Sequence, residues 1–314
     1  MAWVLREAER YFGGQAVSKR FAERLGLHRK QQMACVCDNH CMPIGGVTAA
    51  PSPRPQPTED IAVPARHKAD TVWARPTGQL VRDGFGADDP IQGGLGDCYL
   101  VSGLSALANV RPDVLRDAIR QNPDGTFTVR FYKDSFLGLF GKSKKPVYVT
   151  VDGTLPTKDG SKPRYARGRD VQELWPAIVE KAYAKLDGGY DKVAKGGSPA
   201  TLWQALTGRS GSMQLTAFKS GSRLFDDMKN ALAEKRPVAA STNPVATKKY
   251  QDSGLSGKHV YAVLAVYERG GEKYVRMRNP WGYGEPGSDG RDDGVFELTI
   301  DAFKKKFPLS YYGG

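Results

Sequence analysis

The sequence predicts an α+β protein of two unlike lobes, a mainly helical one over residues 71–208 and a β-rich one over 209–314, behind an N-terminal extension of residues 1–70. Three observations carry that prediction. Before residue 208, apolar residues recur mostly at helical spacing. After it, period-2 stretches and short apolar runs dominate, as in strands. Ahead of both, TAAPSPRPQPTED packs four prolines into residues 51–57, an extended and poorly packed linker.

In chain order, residues 1–30 read as an amphipathic helix through Trp3, Val4, Leu5, Ala8, Tyr11 and Phe12, broken at Gly13-Gly14. ACVCDNHCMPIGG then gathers Cys35, Cys37, His40 and Cys41. These are soft ligands by composition, but C-x-C-x2-H-C is tighter than finger or ribbon spacing. A flexible segment with incidental or redox-active thiols is the expectation there, ahead of a metal site. In the next lobe DCYLVSGLSALANV is apolar at helical spacing through Leu100, Val101, Leu104, Leu107 and Ala108, and Pro112 opens a second helix, PDVLRDAIRQ. TFTVRFYK and PVYVTVDG alternate as strands around an exposed loop, DSFLGLFGKSKK. VQELWPAIVEKAYAKLDGG and SPATLWQALTG are helices closed by glycine. The helix RLFDDMKNALAEK leads into the strands PVAAST, HVYAVLAVYE, KYVRMRNP and GVFELTI. A cleft between the two lobes is where a few polar groups can converge.

With 40% hydrophobic and 25% charged residues, the 314-residue chain has a soluble globular composition. No apolar run reaches the roughly 20 residues that span a bilayer, so no transmembrane segment is expected. MAWVLREAERYFGG lacks the apolar core of a cleavable secretory signal. A cytoplasmic location and export by another route both fit. The net charge of +12 invites anionic partners, but the basic residues are scattered among acidic ones. Lys142-Ser143-Lys144-Lys145 and Lys304-Lys305-Lys306 are short and lack interleaved aromatics, so no specific nucleic-acid role is expected. Three cysteines lie close together and Cys98 stands alone, which is not a disulfide framework.

Cys98 follows a glycine-rich turn and opens a helix, where unpaired N–H groups and the macrodipole favour a thiolate. A thiolate attacking a carbonyl needs a base, a group orienting that base, and donors for the oxyanion. His259 is the one histidine in the β-rich lobe and begins a strand. Asn279 ends another strand, where its amide could accept from the imidazole, and Trp281 could shield that bond from water. Gln92 lies six residues before the cysteine, where its amide could donate to the oxyanion beside the Cys98 backbone N–H.

QGGLGDCYLVSGLSALA, GKHVYAVLAV and RMRNPWG resemble the three active-site segments of the calpain-family cysteine proteases. Further likeness runs through VTVDGTLPTKDG and ELWPAIVEKAYAKLDGGY, so that the resemblance covers about residues 72–314. It implies a papain-like two-lobed core and a cysteine endopeptidase with Cys98 as nucleophile, His259 as base, Asn279 as orienter and Gln92 as oxyanion donor. A protein or peptide substrate follows, with a monomer expected. The family usually has tryptophan after the nucleophile. Tyr99 stands there instead, expected to keep an aromatic wall while altering substrate contacts. With no regulatory β-sandwich or EF-hand loop apparent, a minimal microbial member is the expectation. The resemblance also implies Ca²⁺ sites. Asp89 and Glu173, with a carbonyl near Gly84, match the first; Glu285 and Asp293 match the second, but Val295 replaces an expected carboxylate there. One competent site, the first, is expected. The alternatives are a non-catalytic binding module of the same fold and a transglutaminase-type acyl transferase.

Overall fold

The computed structural model describes residues 61–136, 142–243, 245, 247–287 and 290–314. The helix expected over residues 1–30, the Cys35/Cys37/His40/Cys41 cluster and the proline-rich linker lie outside these residues. The first lobe holds β1 (Val72–Ala74), β2 (Pro90–Ile91), α1 (Cys98–Val110), α2 (Pro112–Ala118), β3 (Ile119–Gln121), β4 (Phe127–Phe136), β5 (Lys142–Val151), β6 (Leu155–Thr157), β7 (Arg167–Gly168), α3 (Trp175–Asp187), α4 (Tyr190–Val193) and α5 (Pro199–Thr207). The second holds β8 (Ser212–Leu215), α6 (Gly221–Ala233), β9 (Val238–Ser241), β10 (Val260–Arg269), β11 (Glu272–Arg278), β12 (Val295–Thr299), α7 (Ile300–Lys306) and β13 (Leu309–Tyr312). The architecture is α+β. Ile61 and His67 are already buried against the first lobe, with His67 Nδ1 3.0 Å from the Tyr165 hydroxyl. Packing therefore begins ahead of residue 71.

Helix α1 is the axis of the first lobe. Tyr99 through Ala108 are all buried, the signature of a helix enclosed on every side. Trp203 of α5 donates from Nε1 to the Gly103 carbonyl at 2.8 Å, and a Cβ on Gly103 would meet the end of the Leu202 side chain at 2.8 Å, so a larger residue there would make Leu202 move. On its other side Ser102 donates to the Val260 carbonyl of β10 at 2.7 Å.

The β-rich lobe is a six-stranded antiparallel sheet in the order β12-β11-β10-β9-β13-β8. Along β10, Val260 and Ala262 pack with the helices of the first lobe, whereas Tyr261 and Val263 pack with Leu224, Phe225 and Met228 of α6 and Phe303 of α7. The central strand is covered on both faces, which is why HVYAVLAV is a continuous apolar run.

Local reading and structure part in several places. PDVLRDAIRQ ends as a helix at Ala118, because Ile119–Gln121 pair with β4. The ends of the loop DSFLGLFGKSKK join the β4–β5 ladder, where Asp134 faces and ion-pairs with Lys144. Helix α3 starts at Trp175 rather than Val171, because Leu174 and Trp175 donate instead to the Gln79 and Leu80 carbonyls. β8 and β13 were not expected: SMQL and LSYY are short and become strands by pairing with each other and with β9. Among the described residues no helix is long and apolar enough to cross a membrane.

Candidate active site

The turn before α1 is held from both lobes. A Cβ on Gly93 would lie 2.2 Å from the Tyr165 carbonyl oxygen, so glycine alone lets the turn close on residues 164–165. Gly94 N donates to the Arg164 carbonyl (2.9 Å), and Gln92 N donates across the lobe junction to the Pro280 carbonyl (2.8 Å). The Gln92 side chain donates from Nε2 to the Leu95 carbonyl at 2.7 Å. The same amide also lies against the Asp97 carboxyl, which its hydrogen bond lowers.

Cys98 is the first residue of α1 and is half-buried. Asp97 occupies the N-cap position without capping through its side chain. The sulfur lies by the backbone N–H groups of Cys98, Tyr99 and Val260. The third of these brings it against the chain at the residue after His259.

His259 is 5% exposed, and its ring is fixed from three directions. Its Nε2 is 3.0 Å from Asn279 Oδ1. The Trp281 ring covers it at 4.5 Å between centroids, and Tyr261 meets it edge-on at 4.9 Å. Its backbone N–H donates to Thr242 Oγ1 (3.0 Å), following Lys258 in the left-handed region at φ 59°. Asn279 is 1% exposed; its Nδ2 donates to the Tyr283 and Gly284 carbonyls (2.9 and 2.8 Å), while Oδ1 also accepts from Trp281 N at 3.2 Å. These bonds orient the amide with its oxygen toward the imidazole. Trp281 thus packs on the ring that Asn279 holds.

Burial pushes the Cys98 thiol up to about 12, against the N–H groups of Val260, Tyr99 and Cys98, which lower it. Burial pushes His259 down to about 4, against the raising effect of its bond to Asn279. Loss of water thus opposes what the helix N-terminus favours at the sulfur. Tyr99 departs from the sequence reading. It is 3% exposed and packs into the core against Gly197, where a Cβ would meet its ring at 2.6 Å, so it is no wall of the cleft.

Two clusters escaped the sequence reading in part. Asp83, Asp89 and Glu173 bring carboxylate oxygens within 4.8 Å of one another, the one such group among the described residues. Asp89 Oδ2 accepts from Gly86 N (2.6 Å) and Trp175 Nε1 (3.2 Å), and Glu173 Oε1 accepts from Arg82 N (2.9 Å). Burial, reinforced by the neighbouring aspartates, pushes Glu173 up to about 7. Asp83 was missed, although the acid-rich run DGFGADD was its signal. Glu285 and Asp293 do not join such a group: Glu285 accepts from Gly294 N and Asp293 from Val295 N, both carboxylates turned back on their own loop. Directly behind the nucleophile, the buried Asp97 and Glu180 carboxyls interact. Glu180 accepts from Ala166 N through both oxygens (3.0 and 3.1 Å), and the Glu180 carboxyl and the Gln92 amide lie against Asp97. One proton shared by the two satisfies both.

Residues 55–306 match the family model described as calpain family cysteine protease. Calpain-5 of Caenorhabditis elegans is 30% identical over 275 residues, covering 76% of this chain and 42% of that protein. Calpain of Schistosoma mansoni is 31% identical over 225 residues, 67% of this chain and 29% of that protein. Calpain-8 of Homo sapiens is 28% identical over 251 residues, 75% of this chain and 34% of that protein. This chain thus spans less than half the length of each of these relatives.

Proposed function

This chain belongs to the calpain family of cysteine proteases, and from that premise we propose that it is an endopeptidase cleaving protein substrates through a thioester on Cys98. The observation that carries the reading is the His259 Nε2–Asn279 Oδ1 bond of 3.0 Å. It commits Nε2 and leaves Nδ1 to take the thiol proton.

The thiol proton passes to Nδ1 as the sulfur attacks the peptide carbonyl. The sulfur–carbon bond forms as the carbonyl electron pair moves onto oxygen. The Gln92 amide and the Cys98 backbone N–H receive that oxyanion, donors of a kind each worth about 10²–10³ in rate. The imidazolium then gives its proton to the departing amine as the carbon–nitrogen bond breaks, leaving the acyl thioester. Water, deprotonated by the neutral imidazole, attacks the thioester; the acid leaves and the thiol recovers its proton. Asn279 keeps the proton on Nε2 and Trp281 excludes water from that bond throughout.

The Asp83, Asp89 and Glu173 oxygens suit a hard divalent cation such as Ca²⁺. When bound, the ion supplies positive charge that relieves the repulsion among the three carboxylates. Ca²⁺ dependence is part of this proposal. Casein digestion with and without Ca²⁺, comparing the native chain with Cys98→Ala, tests the reading. New peptide termini from the native chain alone support it; isopeptide products would assign a transferase, and equal results from both proteins would leave a binding module.

A further inference from the structure

Arg278 ends β11 and is fully buried, yet none of its hydrogen bonds reaches a carboxylate. Its donors cross to the first lobe. Nη1 donates to the Pro90 carbonyl (2.9 Å) and lies 3.4 Å from Ser105 Oγ; Nη2 donates to the Asp88 carbonyl (2.7 Å). Asp88, Asp89 and Asp293 offset its charge from further away, and Arg169 opposes it. Burying a guanidinium on neutral acceptors is expensive, and an apolar side chain would fill the space at lower cost. What an apolar residue cannot do is hold two carbonyls at a fixed separation, which a planar fork of donors can.

The placement of that fork is informative. Arg278 directly precedes Asn279, while its two acceptors stand two and four residues before Gln92. The Gln92 N–H in turn donates to the Pro280 carbonyl at 2.8 Å. Residues 88–92 of one lobe and 278–280 of the other are therefore joined on both sides of the orienter. We propose that Arg278 is a positioning residue whose guanidinium locks Asn279, and through it His259, in register with Gln92 and Cys98 across the lobe junction. This rests on the endopeptidase reading for its consequence in catalysis, though not for the seam itself.

Arg278→Lys retains charge without the fork, and Arg278→Met retains volume without donors. Per active site titrated, kcat on a quenched fluorescent peptide falls about 100-fold in Arg278→Met, the effect of a displacement near 1 Å. It falls less in Arg278→Lys, and KM stays within threefold in both. By hydrogen exchange the Gln92 amide loses protection while amides of the β4–β5 hairpin keep theirs. Unchanged kcat, unchanged Gln92 protection, or a protection loss spread evenly over both lobes overturns the proposal. If the native chain cleaves nothing, the endopeptidase reading fails on its own. The seam is then judged by exchange and by the His259 ring ¹⁵N shifts, which Arg278→Met must alter.

Discussion

Replacing Asn279 by alanine removes four hydrogen bonds at a residue only 1% exposed. The Tyr283 and Gly284 carbonyls lie on an exposed stretch and turn to water, at about 0.5–1.5 kcal/mol each. The His259 Nε2 is buried and keeps no side-chain partner, which adds about 1–3 kcal/mol. A stability loss of about 2–6 kcal/mol follows, within the roughly 5–15 kcal/mol of a typical domain. The kinetic loss is larger in kind. Trp281 still covers the ring, but nothing then decides which nitrogen carries the proton. A positioned base contributes about 10²–10⁴, so kcat is expected to fall about 10²–10³-fold with KM little changed. The assay is peptide hydrolysis by active-site-titrated enzyme, with thermal unfolding run in parallel. A folded Asn279→Ala protein with kcat within threefold of the native value would refute the assignment of Asn279 as orienter.

Three further outcomes are expected. Because Cys98 is pushed up to about 12 and His259 down to about 4, alkylation of the ligand-free thiol by iodoacetamide climbs steadily from pH 6 to 9. An acid plateau that His259→Ala abolishes would instead reveal a preformed ion pair. Asp97 is raised to about 6 and its partner Glu180 well above its ordinary value, both by burial. The folded state therefore holds protons that the unfolded chain sheds, so this contribution is full below about pH 4 and is lost as pH rises through 6. Glu180→Gln flattens that decline, and parallel Tm–pH curves for the two proteins would contradict the shared proton. Calorimetric titration with Ca²⁺ detects binding that releases protons below pH 7, where Glu173 is still protonated, and that weakens at least tenfold in Asp83→Asn. Absence of heat at millimolar ion removes the site.

Much of the molecule was legible in short stretches of chain. The Gly93–Cys98 turn and the α1 repeat are local features, and so are the glycine ends of α3 and α5 at Gly188 and Gly208. The strand that follows His259 showed as an apolar run too dense for a surface strand. Conversely, Ile119–Gln121 became a strand because Val129 and its neighbours offered a ladder. Tyr99 was read as facing the cleft because adjacency to the nucleophile says nothing about which side of a fully enclosed helix a residue occupies. Asp83 joined Asp89 and Glu173 only when the 82–89 loop folded back toward the start of α3.

By itself, the chain determined which residues carry the chemistry and which elements hold them, because helical period, strand alternation and turn residues act over a few positions. The tertiary structure decided what those residues are electrically and how they are aligned. The opposed shifts of Cys98 and His259, the proton shared by Asp97 and Glu180, and the Arg278 crossing all depend on water being excluded by segments more than 80 residues apart in sequence. Desolvation sums over everything packed around a group, and no window of sequence contains that sum.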